Sequence, residues 1–248
     1  MNRILVPFTS RHVGFLLLFR AFDLALFISF GADRSEAVQA ASFATPGNHP
    51  PLSDTVFVAF DTETTGLSPI KDRIVELGAV KFCNGVVLET KSWLIHPGRN
   101  IPYRAKEIHG IDDDVVKDEP SFKEIYPNFE QFIDGTVLIA HNASFDIAFI
   151  SEELKRNHLN PPPNAIIDSL SLFRVWYPES DSYTLKGLCT YLKIDPGGLH
   201  RALADSLLIF RILSKGLDTQ DAVHTLGVLQ ESVNRPMKFT GGSLINSE

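Results

Sequence analysis

Asp61 and Glu63 stand one residue apart at the end of the apolar run Val56-Phe57-Val58-Ala59-Phe60, and Thr64-Thr65-Gly66-Leu67 follows. Strand side chains alternate between faces, so both carboxylates point to one side as the strand runs out. Two neighbouring anions repel, and a hard divalent cation between them is the usual relief. By itself an Asp-x-Glu pair is better read as a solvated strand end. The residues after it shift the weight. Small side chains, hydroxyls and backbone N–H groups come close to whatever a metal would hold, which suits a phosphate or a nucleotide.

Two later stretches carry matching groups. In Leu138-Ile139-Ala140-His141-Asn142-Ala143-Ser144-Phe145-Asp146 a strand runs into a helix whose first turn holds Asp146. A carboxylate there faces the positive end of the helix dipole, and complementing that dipole is the plainer reading of Asp146 alone. In His200-Arg201-Ala202-Leu203-Ala204-Asp205, His200 precedes a helix and Asp205 lies inside it. His200 singly reads as a capping or surface histidine. Asp205 sits among apolar neighbours, where an unpartnered carboxylate is costly. Together, four carboxylates and a histidine are what two-metal phosphodiester hydrolysis requires: a water of lowered pKa, a stabilised leaving oxygen, and a base near neutrality.

In three blocks the sequence resembles the DEDDh family of 3′→5′ exonucleases, which includes the proofreading epsilon subunit of bacterial DNA polymerase III, the PolC exonuclease domain and RNase T. The blocks are Phe60-Asp61-Thr62-Glu63-Thr64-Thr65-Gly66-Leu67, His141-Asn142-x-x-Phe145-Asp146 and His200-Arg201-Ala202-x-x-Asp205, with Ile108-His109-Gly110-Ile111 between the first two. The resemblance spans residues 54–215. It implies two divalent cations, Mg²⁺ or Mn²⁺. Asp61, Glu63 and Asp205 would bind the first, Asp61 would bridge to the second, and Asp146 would support that second ion largely through water. His200 would be the general base. Thr64, Thr65, Gly66 and Leu67 would hold the terminal nucleotide, with Leu67 on a base. Asn142, Phe145 and His109 would lie along the same groove, although Phe145 and His109 suit a core or supporting role equally well. The implied reaction releases nucleoside 5′-monophosphates from the 3′ end of single-stranded DNA, in proofreading or repair. RNA trimming by the same site is the alternative, because sugar choice depends on whether the pocket accepts a 2′-OH. A non-catalytic nucleic-acid-binding or polymerase-accessory module is the alternative from another class, and the intact set of five chemical positions argues against it.

These groups need a scaffold. The chain has 248 residues, 44% hydrophobic, enough for a sizeable core, and its net charge of −7 speaks against gripping long duplex through a basic surface. Cys83 and Cys189 have no metal-type spacing, consistent with a reducing compartment. Strands are expected at 55–61, 74–82, 86–95, 136–140 and 165–168, with Asn84-Gly85 as a tight hairpin turn. Helices are expected at 103–109, from the Ser121/Glu124 capping box to about 134, and at 144–157, 169–176, 184–192, 201–214 and 219–232. The order points to an α/β fold of the ribonuclease H-like kind, a mixed five-stranded sheet with helices on both faces. Residues 54–215 form the expected exonuclease domain, 32–53 a linker, and 216–248 a helix with a disordered tail from Lys238. Residues 1–31 are apolar but interrupted by Arg20 and Asp23. They read as a signal or anchor, an organelle-targeting segment, or an extension outside the enzyme fold. A cytoplasmic location is expected, with membrane anchoring, export or organelle targeting through residues 1–45 as the alternative. A nucleic acid with a free 3′ end is the expected partner, and a DNA polymerase subunit is the family's. Gln230-Glu231-Ser232-Val233 begins like a clamp-binding peptide, but Arg235 and Pro236 stand where an apolar anchor is needed.

Overall fold

In the computed structural model, residues 50–198, 200–219, 225–231 and 237–240 are described. The first strand, β1 (Val56–Thr64), runs past the expected end and carries both Asp61 and Glu63 within regular strand. It pairs antiparallel with β2 (Ile74–Cys83), which pairs antiparallel with the edge strand β3 (Val86–Leu94). Asn84 and Gly85 between them have φ of 48° and 71°, the two positive values that a type I′ turn demands. On its other side β1 pairs in parallel with β4 (Val137–Ala140), and β4 with β5 (Ile166–Asp168), giving the order β3-β2-β1-β4-β5.

Helices cover both faces of this ribonuclease H-like sheet. On one face α3 (Phe122–Ile133) and α4 (Ser144–Arg156) bury Phe129, Phe149, Ile150 and Leu154 against Val58 and Phe60 of β1. On the other, α5 (Ser169–Trp176), α6 (Leu185–Leu192) and α7 (Ala202–Leu217) pack on Phe57 and Ala59. The period of two along β1 therefore sends Asp61 and Glu63 toward the α7 face and Thr62 toward the α4 face. A third, smaller apolar group joins α1 (Tyr103–His109) and the short α2 (Asp113–Val116) to Val75 through Ile101, Ala105, Ile111 and Val116. Glu124 accepts from the Ser121 N–H and hydroxyl at 2.7 Å each, which starts α3 at the expected box.

Both ends of the expected domain are longer than the composition suggested. Pro51 bridges to Thr225, and Leu52 is buried, so the last linker residues belong to the packed unit. Among the described residues of the expected 219–232 helix, α8 covers Leu226–Glu231 and Thr225 before it is a bridge residue. Residues 237–240 correct the disordered-tail expectation. Met237 exchanges two backbone hydrogen bonds with Ile166, at 2.8 and 2.9 Å, on the open edge of β5. Phe239 is buried with its ring 6.1 Å from Phe60, and the Thr240 N–H donates to Ser151. An open strand edge and an apolar gap together recruit a polar-looking tail. The expectations for residues 1–31, 232–236 and 241–248 lie outside the described residues. Among the described residues no helix is long and apolar enough to cross a membrane.

Candidate active site

Asp61, Glu63 and Asp205 offer carboxylate oxygens that all lie within 4.8 Å of one another. The first two share a face of β1, and the third descends from the first turns of α7 onto that face. Oδ2 of Asp205 accepts the His200 N–H at 3.3 Å, while its Oδ1 is buried without a hydrogen-bond donor. A buried carboxylate oxygen with no donor, on a residue grouped with two further carboxylates, is left for a partner of another kind. Three hard oxygen donors are the set that a divalent cation of the Mg²⁺ or Mn²⁺ type takes.

The electrostatics agree. Burial raises Asp61 well above the ordinary aspartate range, and the charges of Asp146, Asp205 and Glu63 raise it further. Glu63 is pushed up to about 8, first by burial and then by Asp205, Glu76 and Asp146, with Arg201 pulling the other way. Asp205 is raised by burial against the opposing His200. Without a cation the cluster holds protons at neutral pH, and a bound cation would displace them.

Asp146 comes from the opposite side. Strand β4 pairs with β1 only as far as Ala59, leaving the edge of β1 open beside Thr62. The first turn of α4 fills that opening. Oδ1 of Asp146 accepts the Thr62 N–H at 2.9 Å and the Thr62 hydroxyl at 2.7 Å. Burial raises Asp146 to about 7 despite both bonds. It stands outside the three-carboxylate group, next to it through the backbone of residue 62. The start of α4 is fixed by Asp168 at the end of β5, which accepts the Ala143 N–H at 3.1 Å while capping α5.

His200 is exposed, at φ 63°, directly before Arg201 and α7. That left-handed conformation is unusual for a residue with a side chain, and the charge of His200 lowers the pKa of Asp205.

The expected nucleotide clamp is partly turned inward. The Thr64 hydroxyl donates to the Gly66 carbonyl at 2.6 Å. The Thr65 hydroxyl accepts the Arg73 N–H at 3.1 Å and donates to Asp72 at 3.3 Å. Both threonines are buried, and their hydroxyls bond within the loop. Leu67 is the open member, 84% exposed at the tip. His109 also departs from the groove-lining expectation. It is 4% exposed, its Nδ1 accepts the Ile111 N–H at 3.0 Å, and burial lowers its pKa. It is a neutral support beneath the end of β1. Asn142 is exposed at φ 60° in the turn before α4, and Phe145 is half-buried against Phe149 at 4.8 Å.

Two groups near the site had no signal in local spacing. Glu76 pairs across the sheet with Glu63 and binds Arg201 through two hydrogen bonds, while Gly78 pairs with Asp61. A Cβ on Gly78 would lie 2.2 Å from the Ala202 carbonyl carbon, so only glycine lets the start of α7 rest on β2.

Comparison with known proteins places this geometry. The family model described as Exonuclease, RNase T, matches residues 58–213. The chain is 35% identical over 179 residues to the PolC-type DNA polymerase III of Halalkalibacterium halodurans, covering 72% of this chain and 12% of that protein. It is 37% identical over 160 residues to the DNA polymerase III epsilon subunit of Treponema pallidum, covering 64% of this chain and 74% of that one. The chain thus spans about an eighth of the PolC-type relatives it matches. Among solved structures, exonuclease X in complex with 5′-overhanging duplex DNA superposes with a TM-score of 0.53 at 30% identity, over 66% of this chain and 92% of that one. E. coli exonuclease I bound to single-stranded DNA superposes with a TM-score of 0.62 at 19% identity, over 68% of this chain and 42% of that one, and shows the shared fold.

Proposed function

The chain belongs to the RNase T exonuclease family as a domain of the DEDDh 3′→5′ type, and from that premise we propose that it shortens single-stranded DNA from the 3′ end, one nucleoside 5′-monophosphate at a time. The observation that carries the reading is the group of Asp61, Glu63 and Asp205, with the donorless Asp205 Oδ1 in its midst. Exonuclease X, 30% identical and described in complex with 5′-overhanging duplex DNA, supports DNA as the substrate class.

Asp61, Glu63 and Asp205 would hold one divalent cation, with Asp61 and Asp146 serving a second. Mg²⁺ or Mn²⁺ there supplies a water of lowered pKa and charge neutralisation at the phosphate. The residues of the chain do the rest. Leu67 offers an exposed apolar surface for the terminal base, which suits an acidic protein that meets strand ends without a basic surface. Thr62 holds Oδ1 of Asp146, so that carboxylate presents a fixed orientation. His200, exposed and beside Asp205, takes a proton from the attacking water at an imidazole nitrogen. The water oxygen bonds to the phosphorus of the last linkage, the bond from phosphorus to the 3′-oxygen of the penultimate nucleotide breaks, and that oxygen takes a proton from solvent water. The products are a nucleoside 5′-monophosphate and a strand one residue shorter with a free 3′-OH.

Relatives named DNA polymerase III PolC-type and DNA polymerase III subunit epsilon support the proposed setting, removal of terminal nucleotides beside a DNA polymerase. The test is one panel: labelled single-stranded DNA, mismatched primer-template and RNA, each with Mg²⁺ and with Mn²⁺, for wild type and Asp61→Ala. Degradation of single-stranded DNA by wild type alone is expected. Equal rates for the two proteins would sink the catalytic assignment, and faster loss of RNA would redirect the substrate.

A further inference from the structure

Two elements far apart in the chain meet at the acid cluster, the end of β1 and the start of α7. Glu76 is what joins them. It is 1% exposed, and its two oxygens accept four donors: Ser92 Oγ at 2.8 Å, Arg201 Nε at 2.9 Å, Arg201 Nη2 at 2.8 Å and the Ala202 N–H at 3.1 Å. Burial pulls its pKa upward, and the bonds from Arg201, Ser92 and Ala202 outweigh that pull, so it stays an anion. Ala202 is the first residue of α7, and no side chain of its own segment caps the helix. Glu76 therefore caps α7 from a neighbouring strand, with a full negative charge at the positive end of the helix. Arg201, the residue it grips by a two-pronged bond, stands between His200 and α7.

We propose that Glu76 and Arg201 are the positioning pair of this site: they set where His200 and Asp205 stand relative to Asp61 and Glu63. The proposal rests on the exonuclease reading above and names the residues that make its geometry. Neither residue reaches the cluster oxygens by hydrogen bond; each acts through the backbone it holds and, at Glu63, through its charge. Gly78 allows the helix to approach, and Glu76 fixes its register once there. A carboxamide at 76 keeps the shape, yet cannot accept from both prongs of the guanidinium and the helix N–H together. A lysine at 201 keeps the charge and loses the fork. Small displacements of a catalytic group are costly in rate, so the loss falls on turnover and on metal affinity.

The test compares wild type, Glu76→Gln, Arg201→Lys, the double variant Glu76→Gln/Arg201→Gln, and Glu153→Gln as a buried ion-pair control elsewhere. The readouts are Mn²⁺ binding by electron paramagnetic resonance, kcat and KM on a labelled single-stranded oligonucleotide, and the melting temperature in EDTA. Glu76→Gln is expected to weaken Mn²⁺ binding and lower kcat, each by about 10–100-fold, with KM nearly unchanged. Arg201→Lys should retain part of both, and the double variant should be no worse than Glu76→Gln, because the pair acts as a unit. Glu153→Gln should lower the melting temperature and leave Mn²⁺ binding as in wild type. Wild-type Mn²⁺ binding and kcat in Glu76→Gln would overturn the proposal. So would losses in Glu76→Gln and Glu153→Gln that simply follow their melting temperatures. If wild type binds Mn²⁺ but degrades no oligonucleotide, the exonuclease reading fails while weakened Mn²⁺ binding in Glu76→Gln still upholds the pair.

Discussion

Among the described residues a buried glutamate is gripped by arginine in two places, Glu76 beside the acid cluster and Glu153 beside the loop that carries Leu67. Each side chain is 1% exposed, and each accepts both prongs of a guanidinium, from Arg201 in one case and Arg73 in the other. The neighbourhoods differ. Around Glu153, Arg156 donates to the Pro69 and Ile70 carbonyls at 2.6 Å each and to the Asp72 carbonyl at 3.3 Å. Arg99 donates to the Lys71 carbonyl from the other side. That network ties a loop to α4. Around Glu76 the bonds tie a helix start to a strand; His200 directly precedes the gripped residues Arg201 and Ala202, and Asp205 follows within the first turn of the helix. A buried ion pair says little about stability by itself, and what it holds in place decides its role.

The largest effect expected is at the loop network. Glu153→Ala leaves Arg73 unpaired and takes one partner from Arg156, and breaking such a buried pair costs about 3–5 kcal/mol. Chemical denaturation should show that loss, while kcat on a short single-stranded oligonucleotide falls far less than KM rises. A collapse of kcat at unchanged KM would erase the distinction between the two pairs.

Gly78→Ala probes the other region. Its Cβ would meet helix backbone, not a movable side chain, and overpacking of that kind costs about 1–3 kcal/mol. Here Mn²⁺ affinity should fall together with stability, because the displaced element carries Asp205. Unaltered Mn²⁺ binding in a destabilised variant would show that the helix start tolerates displacement.

A smaller effect follows from protonation. In metal-free protein Glu63 titrates near 8 and Asp146 near 7, against 4.5 and 3.8 ordinarily. Both are raised, so between pH 4 and 8 the folded state holds protons that the unfolded state has released. Stability then falls as pH rises through that window, and is greatest at its acid end as far as these groups are concerned. Melting in EDTA at pH 5, 6.5 and 8 should show the decline, and Mn²⁺ should stabilise most at pH 8. Glu63→Gln should flatten the EDTA slope.

Leu67→Ala should change least in stability, within about 0.5 kcal/mol for so exposed a side chain. Its effect should appear as a raised KM for oligonucleotides. A variant that matched wild type in KM would remove Leu67 from the binding surface.

The sequence by itself determined what short-range rules govern. Strand period puts Asp61 and Glu63 on one face; Asn84-Gly85 sets the hairpin; Ser121 and Glu124 start α3; the three acidic blocks lie at a strand end or a helix start. Only the tertiary structure decided how long-range partners divide the polar groups. Asp146 went to Thr62, 84 residues away in sequence. The hydroxyls of Thr64 and Thr65 were absorbed by their own loop. His109 was buried with its Nδ1 taken by the Ile111 N–H, and residues 237–240 found an open strand edge. Glu76 gained its meaning from Arg201, 125 residues on. Local spacing cannot encode such pairs, because a buried polar group takes whichever partner the closed fold brings within reach, and leaving it without one costs more than any local preference.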